Sequence, residues 1–100
     1  MRPIHIGRTD KSRPVLVLTR ELARPLLHWV TVAPITSTIR GISTEVRVGP
    51  ANGLDHDCVV SCDNISTIRA TDLGREVGYL LREQEAELNA AIAAAFDLEL

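Results

Sequence analysis

The sequence predicts a mainly β fold with a C-terminal helix (α+β), built as a small barrel or sandwich of five to seven short strands that the helix covers. Three observations carry this. Over the first eighty positions apolar residues recur with period two, or in short unbroken runs between Pro, Gly, Asn and Asp. After Glu83 the period changes to that of a helix. The chain has 100 residues, of which 45% are apolar, which predicts a single domain over residues 1–100. A domain of this size buries only about 60–65% of its unfolded surface.

The elements follow in order. Residues 3–9 alternate weakly around Ile4 and Ile6, and Thr9-Asp10-Lys11-Ser12 is a turn. Residues 14–19, Pro-Val-Leu-Val-Leu-Thr, form an unbroken apolar run that fits a strand buried on both faces. Pro14 fixes φ and lacks a donor, so it belongs at the first position or an edge of that strand. Residues 21–25 are at most one helical turn, stopped by Pro25. Residues 28–35 alternate Trp29, Thr31 and Ala33 against Val30 and Val32. Residues 42–48 alternate Ile42, Thr44, Val46 and Val48 against Ser43, Glu45 and Arg47. Pro50-Ala51-Asn52-Gly53 is a turn. Further short strands are expected at 58–62, 65–68 and 77–81. From Glu83 to Phe96, the residues Leu88, Ala91, Ile92, Ala95 and Phe96 make one helical stripe. Glu83, Glu85 and Glu87 lie in its first turns, where the helix dipole favours acids.

Composition excludes several function classes. Aromatics are 3% of the chain, too few for a base-stacking platform. No apolar run approaches the ~20 residues that span a bilayer. The opening Met-Arg-Pro-Ile-His-Ile has no signal-peptide core. A soluble, cytoplasmic chain is therefore expected, without a membrane partner. Cys58 and Cys62 are too few for a disulfide scaffold or a four-ligand zinc site, and are expected in the core. Asp55-His56-Asp57 alternates faces on a strand, so no metal site and no cofactor are expected. His5, His28 and His56 have no partner at a recognisable spacing.

The net charge of −2 is unevenly spread. Residues 1–47 carry eight Arg and Lys against three acids, and residues 48–100 carry three Arg against ten acids. A half with such an excess of arginine makes an anionic partner plausible, since guanidinium binds phosphate and carboxylate bidentately. Arg13 sits where the buried second strand emerges from the core. Thr36, Ser37 and Thr38 end the third strand as three successive hydroxyls, which cap turns or donate to a phosphate. Taken singly, each is more simply read as surface and turn chemistry.

Taken together they point further. Arg-Pro-Val-Leu-Val-Leu-Thr from Arg13, Val-Ala-Pro-Ile-Thr-Ser-Thr from Val32, and Val-Val-Ser-Cys-Asp-Asn-Ile-Ser-Thr-Ile from Val59 stand in this order and spacing. The chain resembles the MazF/PemK/Kid family of toxin endoribonucleases, most closely the short-N-terminus members of mycobacterial type. The resemblance runs from Arg13 into the C-terminal helix.

The resemblance implies an SH3-like small barrel of the CcdB/PemK/MazF type that forms two-fold homodimers. It implies the toxin of a type II toxin–antitoxin system. Such a toxin cleaves single-stranded RNA at specific sequences without a metal, by attack of the ribose 2′-OH to leave a 2′,3′-cyclic phosphate and a 5′-OH. The family's catalytic arginine matches Arg13 and its catalytic threonine matches Thr36. An arginine and an aspartate two residues apart, which act in cleavage in Kid, fall here on Ser61 and Asp63. Asp63 is thus a third catalytic candidate, and the change to Ser61 leaves the acid–base pair open. Ser37, Lys11, Ile39, Arg40 and Ser61 are the candidate RNA contacts. The implied protein partner is a small acidic MazE-like antitoxin. Two rival readings are a gyrase-binding toxin like CcdB, whose C-terminal Trp-Gly-Ile is not matched by Asp97-Leu98-Glu99-Leu100, and an inactive RNA-binding module.

Overall fold

The computed structural model describes residues 1–99; Leu100, the last residue of the expected domain, lies outside them. Seven strands, β1 (Pro3–Arg8), β2 (Ser12–Val17), β3 (Trp29–Thr36), β4 (Glu45–Val48), β5 (Cys58–Ser61), β6 (Ser66–Arg69) and β7 (Leu73–Tyr79), precede one helix, α1 (Glu85–Phe96). The sheet is antiparallel and runs β4-β5-β3-β2-β1-β7, with β6 also paired to β3. It curls into a half-barrel, and α1 covers one face.

The unbroken run in β2 has the expected cause. Val15, Leu16 and Val17 are all fully buried because each sheet face carries its own core. Leu16 joins Ile4, Ile35, Val46, Leu80 and Leu88 between the sheet and α1. Val15 and Val17 join Val30, Val32 and Ile68 on the opposite face. Pro14 is third in a strand flanked on both sides, yet the ladder to β3 begins only at Val15, so its missing donor interrupts nothing there.

Several elements differ from expectation. The strand expected over 42–48 starts at Glu45, because residues 37–44 form a loop. The strand expected over 58–62 ends at Ser61, and Cys62–Asn64 is a 3-10 turn. The last strand begins at Leu73, four residues early. Its glycines and charges hide it from periodicity, and pairing to β1 holds it. Pro25 lies inside a 3-10 turn, Arg24–Leu26, where its missing N–H has no role. A 3-10 turn, Arg82–Gln84, precedes α1. Phe96, placed on the buried stripe by its spacing, is 55% exposed. Trp29 is half-exposed at the start of β3, with the Arg69 guanidinium 4.9 Å from its ring centroid. No helix among the described residues is long and apolar enough to cross a membrane.

One buried polar cluster ties the 50–53 turn to the start of the helical segment. Asn52 accepts the Gly49 N–H at 3.0 Å and donates to the Tyr79 carbonyl at 2.9 Å and to Gln84 Oε1 at 2.7 Å. Gln84 Oε1 also accepts the Leu81 N–H at 2.9 Å. The backbones approach so closely that a Cβ on Gly53, at φ 86°, would strike the Val77 carbonyl oxygen. A Cβ on Gly78 would strike the Asn52 carbonyl. Truncating Asn52 orphans a buried donor and a buried acceptor, which costs about 1–3 kcal/mol. Asn52→Ala should therefore lower the thermal midpoint by roughly 4–8 °C per kcal/mol lost, as read by circular dichroism.

Candidate functional site

The register of two neighbouring strands builds the site. Val15 lies opposite Pro34, Leu16 opposite Ala33 and Val17 opposite Val32. Continuing this register two residues past Val15 and Pro34 brings Arg13 level with Thr36. Alternation puts Arg13 on the same face as Val15, and Thr36 on the same face as Pro34. Both side chains line one cleft of about 520 Å³ at the end of the smaller core. β1 and its turn supply Thr9 and Asp10, the loop after β3 supplies Thr38, Arg40 and Ile42, and the segment around β5 supplies Ser61 and Asp63.

Arg13 is anchored through its guanidinium. Its Nη2 donates to Asp10 Oδ2 at 2.9 Å, three residues back across the turn. Its Nε is buried and has no hydrogen-bond partner. A buried, unpaired charged donor is costly unless a ligand meets it. Asp10 itself is exposed. Its carboxyl is held below the usual carboxylate range, first by the Thr9 hydroxyl at 2.8 Å, with the Arg13 charge assisting. The Thr36 hydroxyl accepts the Thr38 N–H at 3.2 Å, which orients its oxygen.

The other acids of the cleft are also engaged. Asp63 Oδ2 accepts the Thr44 hydroxyl at 2.7 Å. Glu45 accepts backbone N–H groups of the preceding loop, the shortest from Gly41 at 2.8 Å. Ser61 accepts from the Asn64 side chain at 2.9 Å. Neither thiol is available as a nucleophile. Burial raises Cys58, with Asp57 and Asp55 adding to the effect, and burial followed by Asp63 pushes Cys62 up to about 11. Both cysteines are free and sit in the core, as expected. No three His, Cys, Asp or Glu side chains among the described residues form a cluster able to hold a metal, Asp55-His56-Asp57 included.

This cleft belongs to a chain with clear relatives. Residues 2–96 match the family described as PemK-like, MazF-like toxin of type II toxin-antitoxin system. The chain belongs to that family. It is 62% identical over 99 residues to endoribonuclease MazF3 of Mycobacterium tuberculosis, covering 99% of this chain and 96% of that protein. Its fold is similar to that of the M. tuberculosis toxin MazF-mt6, with TM-score 0.97 and 61% identity over 99% of this chain and 100% of the other. An endoribonuclease in complex with its cognate antitoxin, from a mycobacterial species, superposes with TM-score 0.84 at 25% identity, over 99% and 94% of the two chains.

In this PemK/MazF-type chain the structure gathers Arg13, Thr36, Arg40, Ser61 and Asp63 around one cleft. It leaves out three residues named from sequence. Ser37 and Ile39 do not line the cleft; of the loop after β3, Thr38, Arg40 and Ile42 do. Lys11 is exposed on the turn and does not line it either. Glu45 was missed as a site residue, while Thr38 was named only within the hydroxyl run and Asp10 only within its turn. The i, i+3 spacing across the turn would have paired Asp10 with Arg13. The arginine-rich half does not make one basic groove, since Arg13 and Arg40 face Asp10, Glu45 and Asp63. Arg2, Arg20, Arg24 and Arg82 surround a separate cleft, where Arg2 pairs with Glu85 at 2.9 Å.

A depressed carboxyl keeps its ion pair as pH falls through the ordinary carboxylate range and loses it only below its own midpoint. NMR titration should therefore place the Asp10 midpoint below the ordinary value of 3.8. Thr9→Val should raise that midpoint more than Arg13→Ala does, because the hydroxyl bond contributes most.

Proposed function

We propose that this chain is the toxin of a type II toxin–antitoxin pair and acts in the cytoplasm as a metal-independent, sequence-specific endoribonuclease on single-stranded RNA. The reaction is attack of a ribose 2′-OH on the adjacent phosphate, giving a 2′,3′-cyclic phosphate and a 5′-OH. One observation carries the reading: the Arg13 and Thr36 side chains line the same cleft, with the Arg13 guanidinium held in place by Asp10. Family membership and the resemblance to endoribonuclease MazF3 support it.

The chemistry follows from the geometry. The attack builds negative charge on the non-bridging phosphate oxygens. Arg13 meets that charge with the guanidinium N–H groups that Asp10 does not take, while Asp10 holds Nη2 and fixes the plane. A preorganised donor of this kind contributes about 10²–10³-fold in rate. The Thr36 hydroxyl donates to the same phosphate and aligns it with the nucleophile. Asp63, held by Thr44, positions the RNA sugar or takes its proton. Arg40, Ser61 and the neighbouring Lys11 contact the flanking strand. We further propose that the chain works as a single domain and a two-fold homodimer, with an acidic MazE-like antitoxin as its partner. Such an antitoxin competes with RNA for Arg13 and Arg40.

The test is purified protein on a long single-stranded RNA in EDTA, with the ends mapped. Discrete cuts with cyclic-phosphate ends are expected. Arg13→Ala should lower kcat about 10²–10³-fold, and Thr36→Val about 10–100-fold, as for a lost hydrogen bond to a charged group. Both proteins should keep the native thermal midpoint within a few degrees. Binding without cuts would support an RNA-binding module, and inhibition of DNA supercoiling would support a CcdB-like toxin.

A further inference from the structure

The loop between β3 and β4 lines the cleft with Arg13, and the Glu45 side chain holds the turn at residues 40–42. Glu45 opens β4, opposite Ser61 of β5. Its carboxylate receives three successive backbone amides: Arg40 at 3.2 and 3.3 Å, Gly41 at 2.8 Å and Ile42 at 3.4 Å. Consecutive amides converging on one anion need a turn that alternates hand. Gly41 supplies it with φ 73°, and an added Cβ there would meet nothing within 4 Å. The Glu45 N–H closes the turn on the Ile42 carbonyl at 3.1 Å. At its far end the loop is pinned by the Thr44 hydroxyl on Asp63 at 2.7 Å and by the Cys62 N–H on the Thr44 carbonyl at 3.0 Å.

The fastened loop presents two side chains with no internal task. Arg40 donates no side-chain hydrogen bond among the described residues, and Ile42 is 44% exposed at the lip of an otherwise hydroxyl-rich cleft. An exposed aliphatic face beside a free guanidinium matches a nucleobase. The aliphatic face packs on the flat of the base, and the guanidinium donates to its edge or stacks. A loop already ordered before binding avoids the entropy of ordering it on RNA.

We propose that Glu45 is a positioning residue for RNA specificity, holding residues 40–42 so that Arg40 and Ile42 read a nucleotide beside the phosphate bound at Arg13. This rests on the proposed endoribonuclease reading, and the test separates the two. In an Arg13→Ala background, expected to cut about 10²–10³-fold more slowly, a random single-stranded RNA pool is selected on the protein and sequenced. The Glu45 chain should enrich one nucleotide at one position. Glu45→Ala should flatten that position and weaken binding about tenfold, the scale of one charge-assisted hydrogen bond. Glu45→Gln should recover most of the preference, because its amide oxygen still accepts the Gly41 N–H. With Arg13 present, Glu45→Ala should raise KM about tenfold and leave kcat within about threefold.

Unchanged enrichment in Glu45→Ala overturns the proposal, as does a fall in kcat with KM unmoved. Should Glu45→Ala fail to fold, Ile42→Ser leaves the carboxylate in place and must flatten the same position; unchanged enrichment there overturns the proposal equally. A parent chain that cuts no RNA, yet enriches a nucleotide in a Glu45-dependent way, overturns the cleavage reading and upholds this one.

Discussion

The site depends on the register between β2 and β3. Three residue pairs in the ladder, Val15 to Pro34, Leu16 to Ala33 and Val17 to Val32, are buried on both faces and leave no freedom to slip. A shift of one residue would exchange the two cores and turn Arg13 away from Thr36. Two prolines lie where the ladder stops, so the strands part just beyond Val15 and Pro34. The cleft opens where they part. The hydrophobic core thus fixes the guanidinium and hydroxyl in relation to one another without a direct bond between them.

The acids around the cleft act through the donors they hold. Asp10 grips one edge of Arg13, Asp63 grips Thr44, and Glu45 grips three loop amides. Each is engaged within the protein, which leaves the remaining guanidinium N–H groups of Arg13 and Arg40 to meet a ligand. An anionic strand entering here meets a near-neutral wall with a few aimed donors, so its binding rests on geometry more than on bulk charge. The charge asymmetry along the chain therefore says less about the site than its size implies, because folding distributes the arginines over two clefts.

Much of the fold was legible because burial leaves a period in the sequence. The unbroken run at Val15–Val17 announced a strand with a core on each side, and the spacing of Leu88 and Ala91 announced the helix. Where pairing rather than burial holds an element, the signal fades. β7 carries two glycines and two charges, so only its end, from Val77, was legible, and its first half is held by pairing to β1. The helical spacing misplaced Phe96 because a stripe wider than the covered face runs out into solvent. In the site, Arg13 and Thr36 were legible through resemblance, since their proximity comes from a register that one sequence does not state. Ser37 and Ile39 were named for their adjacency to Thr36 and Arg40, and which side chains of the loop line the cleft is decided by its fold. Glu45 read as one outward residue of an alternating strand, and only the loop before it reveals what its carboxylate holds.

The most direct test of the central claim is the Arg13 side-chain Nε–H resonance in ¹⁵N-labelled protein, followed as a 2′-deoxy oligonucleotide that cannot be cleaved is added. The account predicts that this resonance shifts as the phosphate is bound at the Arg13 guanidinium, and that a Thr36→Ala chain needs more oligonucleotide to reach the same shift. An Arg13 Nε–H unmoved at saturation, while resonances elsewhere shift, would contradict it.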